Sequence, residues 1–148
     1  MERIRELERG EAAPYIRMRP SPWWVPPLFG VWFAAYVGAF AFWSESEFAF
    51  VLAMITLAAG VGAFVGWCAR RYDAFPMPGR GTPPPEIRRE YRCYAIGAVG
   101  IAVLVAGVMW LAGVPAASGA AFALVTVGLR LFQARYERAA AVVRERLP

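Results

Sequence analysis

The stretch ARRYDAFPMPGRGTPPPEIRREYR, from Ala69 to Arg92, separates two long apolar blocks of the sequence. It carries six of the sixteen arginines. Its consecutive prolines favour polyproline II and lack the donors that a helix needs, so we expect the middle of this segment to be extended. Proline-rich segments of this kind serve as spacers or dock into aromatic grooves. The stretch therefore predicts a linker between two apolar halves.

Charged residues are absent from three long segments on either side of this linker. Residues 20–44, 48–69 and 93–129 contain no charge and are 25, 22 and 37 residues long. About 20 apolar residues cross a hydrocarbon core about 30 Å thick, so the third segment is too long for one crossing. We place its break at Gly113-Val114-Pro115, because glycine can end a helix and proline can open the next.

The sequence thus predicts an all-α integral membrane protein with four transmembrane helices paired as two antiparallel hairpins. Hydrophobic residues make up 59% of the chain, which is too many for a soluble core of this size to cover. The predicted spans are Trp23–Trp43, Phe48–Ala69, Cys93–Ala112 and Pro115–Phe132.

This prediction divides the chain into five parts. They are a cytoplasmic tail with an interfacial collar (1–22), the first hairpin (23–69), the Arg/Pro-rich linker (70–92), the second hairpin (93–132) and an amphipathic helical tail (133–148). The first 13 residues alternate acid and base, which is typical of a frayed tail or of a short helix that docks on a partner.

The distribution of arginines predicts the orientation of these parts. Five arginines precede the first span, six lie in the linker and five lie from Arg130, near the end of the fourth span, onward, whereas the connection Ser44–Glu47 is acidic. The positive-inside rule therefore predicts that both termini and the linker are cytoplasmic. The first twenty residues lack the apolar core of a cleavable signal, so the first span should itself direct insertion. Arginine without lysine, together with abundant alanine and glycine, is typical of a GC-rich bacterial genome, so we expect a bacterial inner (cytoplasmic) membrane.

Small residues at four-residue intervals mark candidate faces for helix packing. These are Gly30, Ala34 and Gly38 in the first span and Ala58, Gly62 and Gly66 in the second. Such faces let two helices approach closely, so the two spans are predicted to pack against each other through them. Chance is the alternative, because alanine and glycine are common throughout the chain.

The cytoplasmic segments carry the candidate contacts with lipid or with a partner. The linker arginines Arg70, Arg71, Arg88, Arg89 and Arg92 are expected to face an anionic inner leaflet. After the fourth span, helical spacing of apolar residues continues through Tyr136, Ala139 and Val143. This C-terminal stripe is expected to face another protein segment or the lipid surface.

Two pairs of short segments suggest an internal repeat. Pro14–Arg17 resembles Pro85–Arg88, and Ala69–Asp73 resembles Ala134–Arg138, one pair before and one pair after each hairpin. They indicate either a tandem duplication or a coincidence. A duplication would relate the two hairpins as parallel repeats about an axis along the membrane normal.

Side chains that support catalysis or metal binding are scarce. The chain has no histidine, its two cysteines Cys68 and Cys93 form no Cys-x-x-Cys motif, and no acid lies within a predicted span. We therefore expect no catalytic site, cofactor or metal, and the missing acids argue against a proton-coupled multidrug transporter. The basic clusters adjoin apolar spans, which favours membrane topology over nucleic-acid binding.

These observations predict a non-enzymatic accessory, scaffold or assembly subunit that forms a homo-oligomer or joins a larger membrane-protein partner. The first alternative is an oligomeric pore, holin-like protein or small lipid or solute transporter. A second alternative is an enzyme that uses the arginines on a phosphate-bearing lipid, but no general base accompanies them.

Overall fold

The computed structural model describes residues 22–72 and 85–146, and all regular structure in these two ranges is helical. Helix α1 is Val25–Gly38 and continues into a short 3₁₀ helix, Ala39–Phe42; α2 is Glu47–Tyr72 and α3 is Pro85–Arg146. The prediction of an all-helical chain with helices able to span a membrane is confirmed, because three segments are long and apolar enough. These are Val25–Phe42, Glu47–Trp67 and Ile87–Val143.

Proline and serine set the starts of the first two helices. Pro26 and Pro27 occupy the first turn of α1, where a helix does not use the missing backbone donor. These two prolines therefore open this helix. At the start of α2, the backbone N–H of Ala49 donates to Ser46 Oγ at 3.2 Å, and Glu47 adds a negative charge at the positive end of the helix dipole.

Helix α3 is interrupted at Gly113, within the triplet where the sequence predicts a break. Gly113 has φ 82° and ψ 176°, a conformation that is essentially restricted to glycine. We call residues 85–112 the N-arm and residues 114–146 the C-arm. The rings of Tyr91 and Tyr136 lie 6.2 Å apart, whereas 45 residues of unbroken helix would separate them by about 70 Å. The chain therefore reverses at Gly113.

The two arms of α3 lie side by side along much of their length. Tyr94 and Phe132 have ring centroids 4.7 Å apart, and nearer the break a Cβ built on Gly128 would be 3.0 Å from Ile101 Cδ1. The third membrane-length helix thus contains both the third and the fourth predicted spans.

The helices extend further into the predicted linker and tail than the predicted spans do. Helix α2 continues through Arg70 to Tyr72, and α3 begins at Pro85, eight residues before the predicted third span. The predicted tail 133–148 continues the C-arm as far as Arg146. The predicted extended middle of the linker, residues 73–84, and the N-terminal tail lie outside the described residues.

Candidate interaction surfaces

Helix α1 packs closely on the C-arm through its small residues. A Cβ built on the buried Gly30 would lie 2.9 Å from the Phe122 carbonyl oxygen and would overlap Thr126 Oγ1. Further along, a Cβ on Gly38 would lie 3.4 Å from Ser118 Oγ. Ala34 lies between these two glycines on the same face and is half-buried. The face of α1 predicted from the sequence is therefore a helix contact, with the C-arm as its partner.

The corresponding face of α2 is not the surface that meets α1. Ala58, Gly62 and Gly66 are exposed, and no atom lies within 4 Å of a Cβ built on either glycine. At about 100° per residue, these positions fall on the opposite side of α2 from Leu57 and Phe64, which contact α1. The structure thus differs from the predicted packing of the two small-residue faces against each other.

Large aromatic side chains join α1 to α2 instead. The indole Nε1 of Trp32 donates to the Leu57 carbonyl oxygen at 3.1 Å. Phe64 packs edge-on against Phe29, with ring centroids 5.8 Å apart. Near the other end of the pair, Trp43 packs against Phe50 at 5.0 Å. Because rings rather than glycines fill this interface, the helix axes stay apart and a crevice remains between them.

This α1/α2 crevice has a volume of about 270 Å³. Its lining is almost wholly apolar and consists of Leu28, Phe29, Trp32, Gly60, Val61 and Phe64. Nothing lies within 4 Å of a Cβ built on Gly60, so the absence of a side chain there helps to open the space.

The C-terminal stripe lies partly within an intramolecular contact. Val143 has no exposed surface and Ala140 is 5% exposed, at the same end of the paired arms as the fully buried Ile87. Tyr136 packs against Tyr91, and Ala139 is half-buried. The sequence predicts this stripe as a surface for a partner or lipid, but the chain itself covers Val143. Its apolar spacing is explained by the pairing of the two arms.

Four exposed arginine side chains, those of residues 70, 88, 89 and 92, lie at one end of the helices. The N-arm carries Arg88, Arg89 and Arg92 beside the end of the C-arm. Arg70 lies in the last turn of α2, six residues beyond Phe64, whose ring packs against Trp24 at the start of α1. The side chain of Arg71 lies outside the described residues. Glu45 and Glu47 are exposed at the other end of α2. On α2, the described charges are thus separated along the helix, with Glu47 at its start and Arg70 in its last turn.

Two residues at the α1 contact, Ser118 and Phe122, are absent from the sequence prediction. With Thr126 they occupy every fourth position on one face of the C-arm, and this spacing is the signal that could have found them. The hydroxyl oxygens of Ser118 and Thr126 are buried and make no hydrogen bond in the described structure. Ser118 faces Gly38 and Thr126 faces Gly30, so close packing rather than hydrogen bonding defines the contact.

Among the side chains that the structure describes, no group of three or more potential metal ligands lies together, and no polar or charged residue is fully buried. Comparison of the chain with protein-family models, with curated proteins and with solved structures finds no match in any of the three.

Proposed function

We propose that this chain is a small, non-enzymatic integral membrane protein that acts as an accessory, scaffold or assembly subunit of a membrane complex. It would cross a bacterial inner membrane four times, as two antiparallel hairpins with both termini in the cytoplasm. Its partner would be a larger membrane protein or further copies of the same chain.

The lengths of the helical segments support four crossings. At 1.5 Å per residue, α2 is about 39 Å long, the N-arm about 42 Å and the C-arm about 50 Å, and each exceeds a hydrocarbon core of about 30 Å. Helix α1 with its 3₁₀ extension has 18 residues, which gives about 27 Å or slightly more. The exposed arginines at one end of the helices support a cytoplasmic position for that end.

The observation that carries the scaffold proposal is the uncovered small-residue face of α2. On α1, glycines at four-residue spacing lie against the side chains and backbone of the C-arm. On α2, Gly62 and Gly66 have the same spacing and no neighbouring atom within 4 Å. In a bilayer, helices associate through faces of this kind, since lipid supplies no hydrophobic drive between helices. The α2 face is therefore the best candidate for a helix of another protein or copy.

Complex size in native membranes and in mild detergent tests this proposal. Leucine at Gly62 and Gly66 has room within the chain, so G62L/G66L should keep the monomer folded and remove the larger complex. The matched control is G97L/G100L on the N-arm, where both glycines also have open space. An unchanged complex in G62L/G66L would contradict a role for this face. Dye release from liposomes by the wild-type protein alone would favour the pore alternative.

A further inference from the structure

Burial along the paired arms of α3 increases toward the arm ends, which are residues 85–92 and 136–146. Ile87, Tyr94 and Ile101 follow each other at seven-residue spacing on the face of the N-arm that meets the C-arm. Ile101 is half-buried and Tyr94 is 44% exposed, whereas Ile87 has no exposed surface. Two helices that touch only each other have the fewest neighbours at their ends, so pairing alone predicts the opposite trend.

A third segment of the same chain therefore covers the arm ends, since the structure contains a single chain. Val143, which also has no exposed surface, lies 17 residues beyond Thr126, about 26 Å along the C-arm. Helix α1 meets Thr126 at Gly30 and begins at Val25, so it ends about 18 Å short of Val143. Helix α2 packs mainly on α1 and on the 3₁₀ helix. Neither of these two described helices accounts for the cover.

A carboxylate oxygen at the arm ends is covered as well. Glu90 follows Ile87 by three residues and is half-buried, and its Oε2 is buried without a hydrogen bond in the described structure. Removing an ionised oxygen from water costs free energy unless a partner replaces the water. On two helices alone, this side chain could turn into the solvent. Its burial is a second sign of a covering segment at this place.

Residues 1–21, which lie outside the described residues, are long enough to reach the arm ends. When extended, residues 14–21 span up to about 26 Å, which exceeds the distance of about 18 Å that α1 leaves open. The part before them contains Ile4 and Leu7, whose three-residue spacing places them on one face of a helix. Residues 73–84 are the other long segment outside the described ranges. Their four prolines and two glycines disfavour a helix with such a face.

Charge also favours the N-terminal segment. The exposed charges described at the arm ends are four arginines and two glutamates, so this surface is positive overall. They are Arg88, Arg89, Arg92, Arg138, Glu137 and Glu145. Residues 1–13 carry four glutamates and three arginines, whereas residues 73–84 carry one aspartate and one arginine. The N-terminal segment therefore brings more carboxylates to these arginines.

We propose that residues 1–13 dock on the arm ends of their own chain, with Ile4 and Leu7 against Ile87 and Val143. The N-terminal segment then closes an apolar surface that the paired arms leave open. This inference depends neither on the scaffold role nor on the membrane orientation, because it concerns contacts within one chain.

Hydrogen–deuterium exchange of the full-length protein in mild detergent tests this docking. I4D/L7D should speed exchange in residues 139–146 about tenfold, because docking would bury two unpaired carboxylates. A12D/A13D is the matched control, since it adds the same charge away from Ile4 and Leu7. It should exchange as the wild type does. F75D/M77D makes the same change in residues 73–84 and should also leave exchange at residues 139–146 unchanged.

A disulfide cross-link gives a second measurement that does not rely on destabilising the contact. With C68S/C93S as background, L7C/V142C should form an intramolecular disulfide under mild oxidation, because Val142 is 54% exposed beside the buried Val143. F75C/V142C should not. Unchanged exchange at residues 139–146 in I4D/L7D would overturn the docking. A cross-link from residue 75 in place of residue 7 would also overturn it and would assign the cover to residues 73–84.

Discussion

Gly30 and Thr126 meet so closely that any side chain on Gly30 would overlap the threonine hydroxyl. The threonine could rotate away, but the Phe122 carbonyl oxygen, 2.9 Å from the same Cβ position, belongs to the C-arm backbone and cannot. The missing side chain of Gly30 therefore sets the distance between α1 and the C-arm. At this separation, Cα–H···O contacts and close van der Waals packing stabilise a helix pair.

We expect G30A to lower the free energy of unfolding by about 1–3 kcal/mol, which is the usual cost of overpacking. The reason is that α1 must move away from the backbone of the C-arm. Thermal unfolding in detergent, followed by size-exclusion chromatography, measures the change. The control is G62A, because a Cβ at residue 62 meets open space. This variant should unfold at the same temperature as the wild type or slightly higher. Equal stability of G30A and wild type would show that the helices are further apart than described.

We expect G113A to destabilise the protein, whereas G107A should not. Alanine at residue 113 must adopt φ 82°, which costs about 1–3 kcal/mol. At residue 107 the backbone is helical and the Cβ meets open space, so alanine should be neutral or stabilise the helix by up to about 1 kcal/mol. Thermal melts of the two variants under the same conditions give the comparison. Equal effects would argue that the chain does not reverse at Gly113.

We expect V143D to destabilise the pairing of the two arms more than A139D does. Val143 has no exposed surface, so its aspartate would be buried at the end of the paired arms, whereas Ala139 is half-buried and its aspartate can reach water. Thermal stability and protease resistance of the two variants measure the difference. If both variants unfold like the wild type and only lose complex size, the stripe contacts a partner and is not part of the fold.

The sequence predicts which faces of these helices pack closely, but it does not predict which helix each face contacts. The spacing of Gly30 and Gly38 marks a close-packing surface, and the structure places one there. The same spacing at Gly62 and Gly66 predicts that this face of α2 packs against that surface, yet these residues face away from α1. Small-residue spacing predicts which face of a helix packs closely against a neighbour. The choice of neighbour depends on the shapes of several helices at once.

The C-terminal stripe shows the same limit. Its apolar periodicity predicts correctly that Val143 lies on a face that avoids water, and this residue is fully buried. Periodicity does not tell a contact within the chain from a contact with a partner. The aromatic residues that join the arms, such as Tyr91 and Tyr136, are separated by 45 positions in sequence. Their pairing follows from the reversal at Gly113, which the sequence predicts, and not from the periodicity of the stripe.

Cysteine accessibility in intact cells tests most directly the central claim, that the chain crosses the membrane four times with its arginines inside. Single cysteines replace Glu45, Ala116 or Arg135, all exposed, in a background where Cys68 and Cys93 are serine. A membrane-impermeant maleimide should label residues 45 and 116 from outside, and residue 135 only after permeabilisation. Protection of residue 116 together with outside labelling of residue 135 would contradict the four-span arrangement, because α3 would then cross the membrane only once.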